Sequence, residues 1–241
     1  MASRTSQLET SATPHRNATK TPIHRLGIDG LPVPRLRGRL HEIAIVPLAL
    51  VGIAITVTAP TTAALVAYGI FTLSTVAMLS ASAAYHCHSH TFERKLSSRR
   101  LDHAMIYVAI AGAQTSYWLL AAPPLVAIAA SLTACTVAGV GIHHKLTRLT
   151  LAGSPGNWLY IVLGWTGAAM VPFLLSVGDL VAFGAVLGGG LVYTAGGLVL
   201  ARRHLDLWPR VFGYHEVWHL LVVIGVIAHF AGLIRLVDTV T

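Results

Sequence analysis

Seven stretches of this sequence are apolar for about the thickness of a bilayer, and nearly every charged residue lies outside them. A spanning helix needs about 20 mainly apolar residues. Runs of that kind cover His41–Ala59, Thr62–Tyr85, Asp102–Ala121, Leu125–Ile142, Trp158–Leu175, Leu180–Ala201 and Tyr214–Val237. Only 11% of the 241 residues are charged, where a soluble domain carries about a quarter. The sequence therefore predicts an all-α membrane protein: a seven-transmembrane helix bundle forming one domain over residues 35–241. Residues 1–34 are polar and basic, hold Pro14, Pro22, Pro32 and Pro34, and lack the apolar core of a secretory signal. They are expected to be a disordered basic cytoplasmic tail.

The positive charges set an orientation. Seven Lys/Arg precede the first span. Arg94, Lys95, Arg99 and Arg100 follow the second, Lys145 and Arg148 the fourth, and Arg202, Arg203 and Arg210 the sixth. The intervening loops carry none, and only Arg235 falls on the other side. Positive residues gather on the cytoplasmic face. The N-terminus is thus expected in the cytoplasm and the C-terminus outside, in a multi-pass protein of the inner (plasma) membrane. The net charge of +8 is explained by this asymmetry, so no nucleic-acid partner is invoked. Cys87 and Cys135 sit at the end of one span and inside another, which does not suggest a disulfide framework.

The last span opens with His215-Glu-Val-Trp-His219. Residues i and i+4 are neighbours on a helix, so both imidazoles can reach one metal ion. Ionisable groups in spanning segments are expensive and mark function. The topology brings further residues to the same depth: His86 ends the second span and Asp102 starts the third. Three histidines with a water in the fourth position match a catalytic zinc site, and zinc lowers the pKa of such a water to about 7. Ser82, one turn deeper than His86, points the same way. Asp102 is a candidate general base, although Asp at a helix start also serves as a cap. His41 and Glu42 begin the first span at the same face and read as outer support or as interfacial anchors. His229 lies about 21 Å deeper than His215, too far to share an ion. His-Glu-x-x-His is also the zincin motif, with Glu216 as base, which keeps an intramembrane metalloprotease as a rival.

These residues resemble a known family. Ser82-Ala-Ala-Tyr-His86, then Arg100-Leu-Asp102-His-Ala-Met-Ile-Tyr-Val-Ala-Ile-Ala-Gly112, then Phe212-Gly-Tyr-His215-Glu-Val-Trp-His219 look like the motifs of the haemolysin III family, in the same order. That family is the bacterial branch of the progestin and adipoQ receptor group. Pro34-Arg-Leu-Arg-Gly-Arg-Leu-His41 looks like its actinobacterial members. The resemblance implies seven spans and a zinc ion held by His86, His215 and His219, with Ser82 and Asp102 near the water. It further implies ceramidase-like hydrolysis of lipid amides or esters, membrane lipids as partners, and a part in membrane-lipid homeostasis. Non-catalytic regulation around a structural zinc is the alternative, and a pore-forming haemolysin the least expected one. The sequence departs from the family in two places. Gly112-Ala-Gln-Thr-Ser116 stands where the family has Gly-Thr-Tyr-Thr-Pro, and the acidic-Asn-x-x-x-His pattern of the first span is missing. Many members carry a non-acidic residue at the position of Glu216, which speaks against a base role for it.

Overall fold

The computed structural model describes residues 22–27, 29–150 and 157–241. Eight α-helices are present among them: α1 (Arg39–Val57), α2 (Thr62–Cys87), α3 (Phe92–Ala121), α4 (Pro124–Arg148), α5 (Trp158–Thr166), α6 (Val171–Val177), α7 (Leu180–Arg202) and α8 (Tyr214–Val240). A 3-10 turn over Gly167–Met170 joins α5 to α6, and the two make one span. Seven helical segments are therefore long and apolar enough to cross a membrane.

Two elements differ from the hydropathy pattern. The third helix starts at Phe92, ten residues before its apolar run, because the Thr91 hydroxyl accepts the Arg94 N–H and caps it there. Phe92–Leu101 is thus a polar helical extension, which apolar run length cannot detect. Asp102 is consequently interior to α3, and the capping role weighed for it belongs to Thr91. The fifth span is interrupted because Pro172 offers no N–H and its ring crowds the carbonyl four residues earlier, at Ala168.

Burial separates central helices from peripheral ones. About half of the most apolar window is buried in α2 (50%), α3 (44%) and α8 (50%), against 11–22% in the other spans. Those three form the middle of the bundle. Phe71 of α2 meets Phe230 of α8 edge-on at 4.6 Å, and the hydroxyl of Tyr117 in α3 donates to the His229 carbonyl at 2.7 Å. The Gly-rich α7 lies along α8, and a Cβ at Gly189 would collide with the His229 ring, so the small residue sets the approach. His229 is held within the bundle by Gly225 and by stacking on Tyr193.

Of the expected tail, residues 1–21 and 28 lie outside the described residues. Residues 22–27 and 29–34 form a short 3-10 turn, Ile23–Arg25, and a Leu26–Pro32 bridge. The following residues dock on the α7–α8 connection, where Arg35 N–H donates to the Arg210 carbonyl and Leu36 N–H to Val211. Backbone pairing of this kind fixes a segment that composition alone leaves without a core of its own.

Candidate metal centre

The site sits where α2 ends and α8 begins, beside Asp102 in the interior of α3. The start of α8 is fixed by two carboxylates. Glu216 Oε2 accepts the Gly213 N–H at 2.8 Å, and Asp206 Oδ1 accepts that of Tyr214 at 2.8 Å. Each satisfies a helix N–H that has no partner within the helix. The other Glu216 oxygen takes Arg37 Nε at 2.5 Å, with the Glu216 side chain fully buried. Arg37 thus ties the chain ahead of α1 to the helix bearing two of the histidines. Gly38, at φ +81°, then turns the backbone past the end of α2, where a side chain would strike the His86 Cβ and the Cys87 sulfur.

His215 and His219 stand one turn apart on α8, their ring centroids 4.8 Å apart. His86, on the last turn of α2, faces both, at 4.9 Å from His215 and 5.0 Å from His219. The three rings meet edge to face, and one nitrogen from each lies within 4.8 Å of the others. No ring nitrogen of the three takes part in a hydrogen bond among the described residues, and His219 Nδ1 is buried without a partner. Buried polar groups are normally satisfied, so the unpartnered His219 Nδ1, with two further imidazoles that make no hydrogen bond among the described residues beside it, fits a metal ion. Zinc–nitrogen bonds of about 2.0–2.1 Å in a tetrahedron place ligand nitrogens roughly 3.3 Å apart, so binding would draw the rings slightly inward.

Asp102 borders this trio, and Ser82 is linked to it through His41. Asp102 Oδ2 lies 4.0 Å from His86 Nε2 and 3.5 Å from His103 Nδ1. Ser82 Oγ shares a 2.8 Å hydrogen bond with Nδ1 of His41. His41 is only 3% exposed and stacks on the His219 ring at 3.9 Å, within 13° of parallel. Its Nε2 is buried and unpartnered. The anchor reading for His41 is therefore replaced: burial and two site contacts make it part of the centre's lining. Glu42, one residue on, points away and pairs with Arg39 and with His88. Sequence reasoning passed over Arg37 and His103. The legible signal for Arg37 was its place four residues before His41 in a motif-bearing stretch; His103 gave none beyond adjacency to Asp102.

A bundle of seven membrane-spanning helices with three convergent histidines at one end defines a class: multi-pass membrane proteins with a candidate intramembrane metal centre. The family model described as Haemolysin-III related matches residues 31–230, and the chain belongs to that family. It is 27% identical over 165 residues to Hemolysin-3 of Bacillus cereus, covering 68% of this chain and 72% of that one. It is 24% identical over 166 residues to the Hemolysin-3 homolog of Bacillus subtilis (strain 168), covering 69% and 75%.

Proposed function

We propose that the chain is a zinc-dependent hydrolase of an amide or ester bond in a membrane lipid, acting at the cytoplasmic leaflet of the inner (plasma) membrane in the service of lipid homeostasis. The observation that carries this reading is the meeting of three unbonded histidine nitrogens within 4.8 Å, beside a carboxylate and a hydroxyl. His86, His215 and His219 would hold the ion, leaving a fourth position open as catalytic sites do. Bound zinc supplies a Lewis acid that polarises a carbonyl and acidifies water.

The protein's own groups do the rest. Asp102 is close enough to the trio to accept the proton of the attacking water, directly or across one solvent molecule. His41 holds Ser82 Oγ, so the hydroxyl presents a fixed lone pair or proton to the water or to the scissile carbonyl. Substrate tails lie between helices, which brings the bond to be cut to headgroup level. Glu216 is not available as a base, because Arg37 and the Gly213 N–H occupy its two oxygens; this counts against a protease.

One observation favours a second reading, a regulator with a structural zinc. His41 brings a fourth imidazole against His219, and a fourth protein ligand would close the coordination sphere. Metal analysis of purified wild type, His86→Ala and His219→Ala, with lipidomics of the same strains, separates the two. About one zinc per chain, lost in both variants, together with accumulation of one lipid class is expected for three single-site ligands. Zinc lost with no lipid change supports the regulator. Zinc retained in His86→Ala sinks both.

A further inference from the structure

Lys95 is a buried cation that nothing in this mechanism uses. It lies in the first turn of α3 and is 4% exposed. Its Nζ donates to the Ile23 carbonyl at 3.2 Å and stands 5.6 Å over the Tyr85 ring. Among the described residues no carboxylate approaches within 4.0 Å of it. The acids nearby are committed elsewhere: Glu216 to Arg37, Glu42 to Arg39 and His88, and Asp29 to the Leu31 N–H. Burying an ammonium with one neutral acceptor and no counter-charge is costly.

The ammonium opens on a small cavity with room for about one water-sized group, lined also by His24, Arg37, Tyr85 and His86. Tyr85 packs its ring on that of His86 at 4.3 Å. The cavity is thus lined both by His86 of the candidate metal centre and by two cations, Arg37 and Lys95. An adjoining cavity, again beside His86 and Arg37, adds Arg25 and Arg39 to its rim. Among the described residues Glu216 pairs with Arg37, Glu42 with Arg39, and Asp102 lies 4.0 Å from His86, so Lys95 and Arg25 are the cations here without an acidic partner.

We infer that Lys95, with Arg37 and His24, forms an anion subsite that receives an oxygen of a phosphate group beside His86. The cavity is too small for a whole headgroup, so one phosphate oxygen enters and the rest extends toward the Arg25 and Arg39 rim. A phosphate offers several acceptor oxygens to Lys and Arg donors. That the phosphate belongs to the lipid being cleaved rests on the hydrolase reading; the subsite itself does not.

The test is thermal unfolding of the full chain in nanodiscs, at constant ionic strength, with two phosphate sources. One arm adds inorganic phosphate to phosphatidylcholine nanodiscs; the other replaces part of that lipid by phosphatidic acid. At least one source should raise the midpoint of wild type by several degrees at about a hundredfold excess over its dissociation constant. Stabilisation by soluble phosphate assigns a free anion, and stabilisation by phosphatidic acid alone assigns a lipid headgroup. Lys95→Gln should weaken the effect about tenfold or more, the loss expected for one charged hydrogen bond, and Lys95→Arg should restore most of it. No shift in either arm, or an equal shift in wild type and Lys95→Gln, overturns the subsite. Zinc content and lipid turnover are read separately. Hydrolysis without a phosphate shift rejects the subsite alone, and a phosphate shift without zinc or hydrolysis rejects the hydrolase alone.

Discussion

At the residue scale the centre depends on two contacts that carry opposite kinds of energy. Arg37–Glu216 is a buried ion pair, and such a pair contributes little net stability against an apolar replacement but is costly to halve. Glu216→Ala should therefore lower stability by about 3 kcal/mol, the low end of the range for breaking a buried pair, since the Arg37 side chain keeps 15% exposure. The double variant Arg37→Met, Glu216→Gln should recover much of that loss in a denaturation cycle. Zinc should stay bound in Glu216→Gln; its loss would return Glu216 to the metal site. His41 works by orientation. His41→Phe keeps a ring against His219 but drops the hydrogen bond to Ser82. Lipid turnover should then fall by about 10- to 100-fold, the usual effect of losing a residue that steers a metal site, while zinc content holds. An unchanged rate would leave His41 as packing alone.

At the element scale, helix ends matter as much as helix length. Asp179 caps α7, its Oδ1 accepting the N–H groups of Val181 and Ala182 at 2.9 Å, while Oδ2 takes the Thr239 hydroxyl at 2.5 Å. The Thr239 hydrogen bond, seconded by the backbone N–H groups, holds its carboxyl below the ordinary value of 3.8. A lowered folded pKa gives stability that is complete above the unfolded value and fades as pH falls through the folded one. Asp179→Ala should cost about 1 kcal/mol at neutral pH, and the gap from wild type should narrow only below about pH 4. A gap constant down to pH 2 would mean the charge is irrelevant. The helices themselves were legible because hydrophobic run length is the dominant constraint in lipid. What was not legible is where polar residues stay helical. Phe92–Leu101 reads as loop by hydropathy, yet its cap and i,i+4 continuity make it part of α3, and it is this extension that carries Lys95. The trio His86, His215 and His219 was legible because topology alone puts those residues at one depth. His41 was not, since its role depends on which side of α1 faces α2 and α8, and the rotation of one helix about its axis is set by packing rather than by its own pattern.

At the scale of the whole molecule, the chain closes on itself: α8 packs beside α7 and also against α1 and α3. The segment before α1 and the start of α8, remote in sequence, are thereby joined at the end that holds the histidines. That end also collects the basic residues: among the described residues, thirteen of fourteen Lys/Arg belong to it by topology. The exception, Arg235, lies 3.5 Å from Asp179, so a local partner at the opposite end accounts for it without weakening the asymmetry. If the basic end faces the cytoplasm, then His204, exposed in the α7–α8 connection, lies inside and Thr241, exposed at the end of α8, lies outside. Single cysteines at those two positions, in a chain whose Cys87 and Cys135 are replaced by Ala, make this measurable. A membrane-impermeant maleimide applied to intact spheroplasts should label Thr241→Cys and spare His204→Cys until the membrane is opened. The reverse pattern would turn the bundle over and put the metal centre and the Lys95 cavity at the outer leaflet. Labelling of both from outside would instead require an even number of spans between α7 and the C-terminus, which one uninterrupted α8 does not provide.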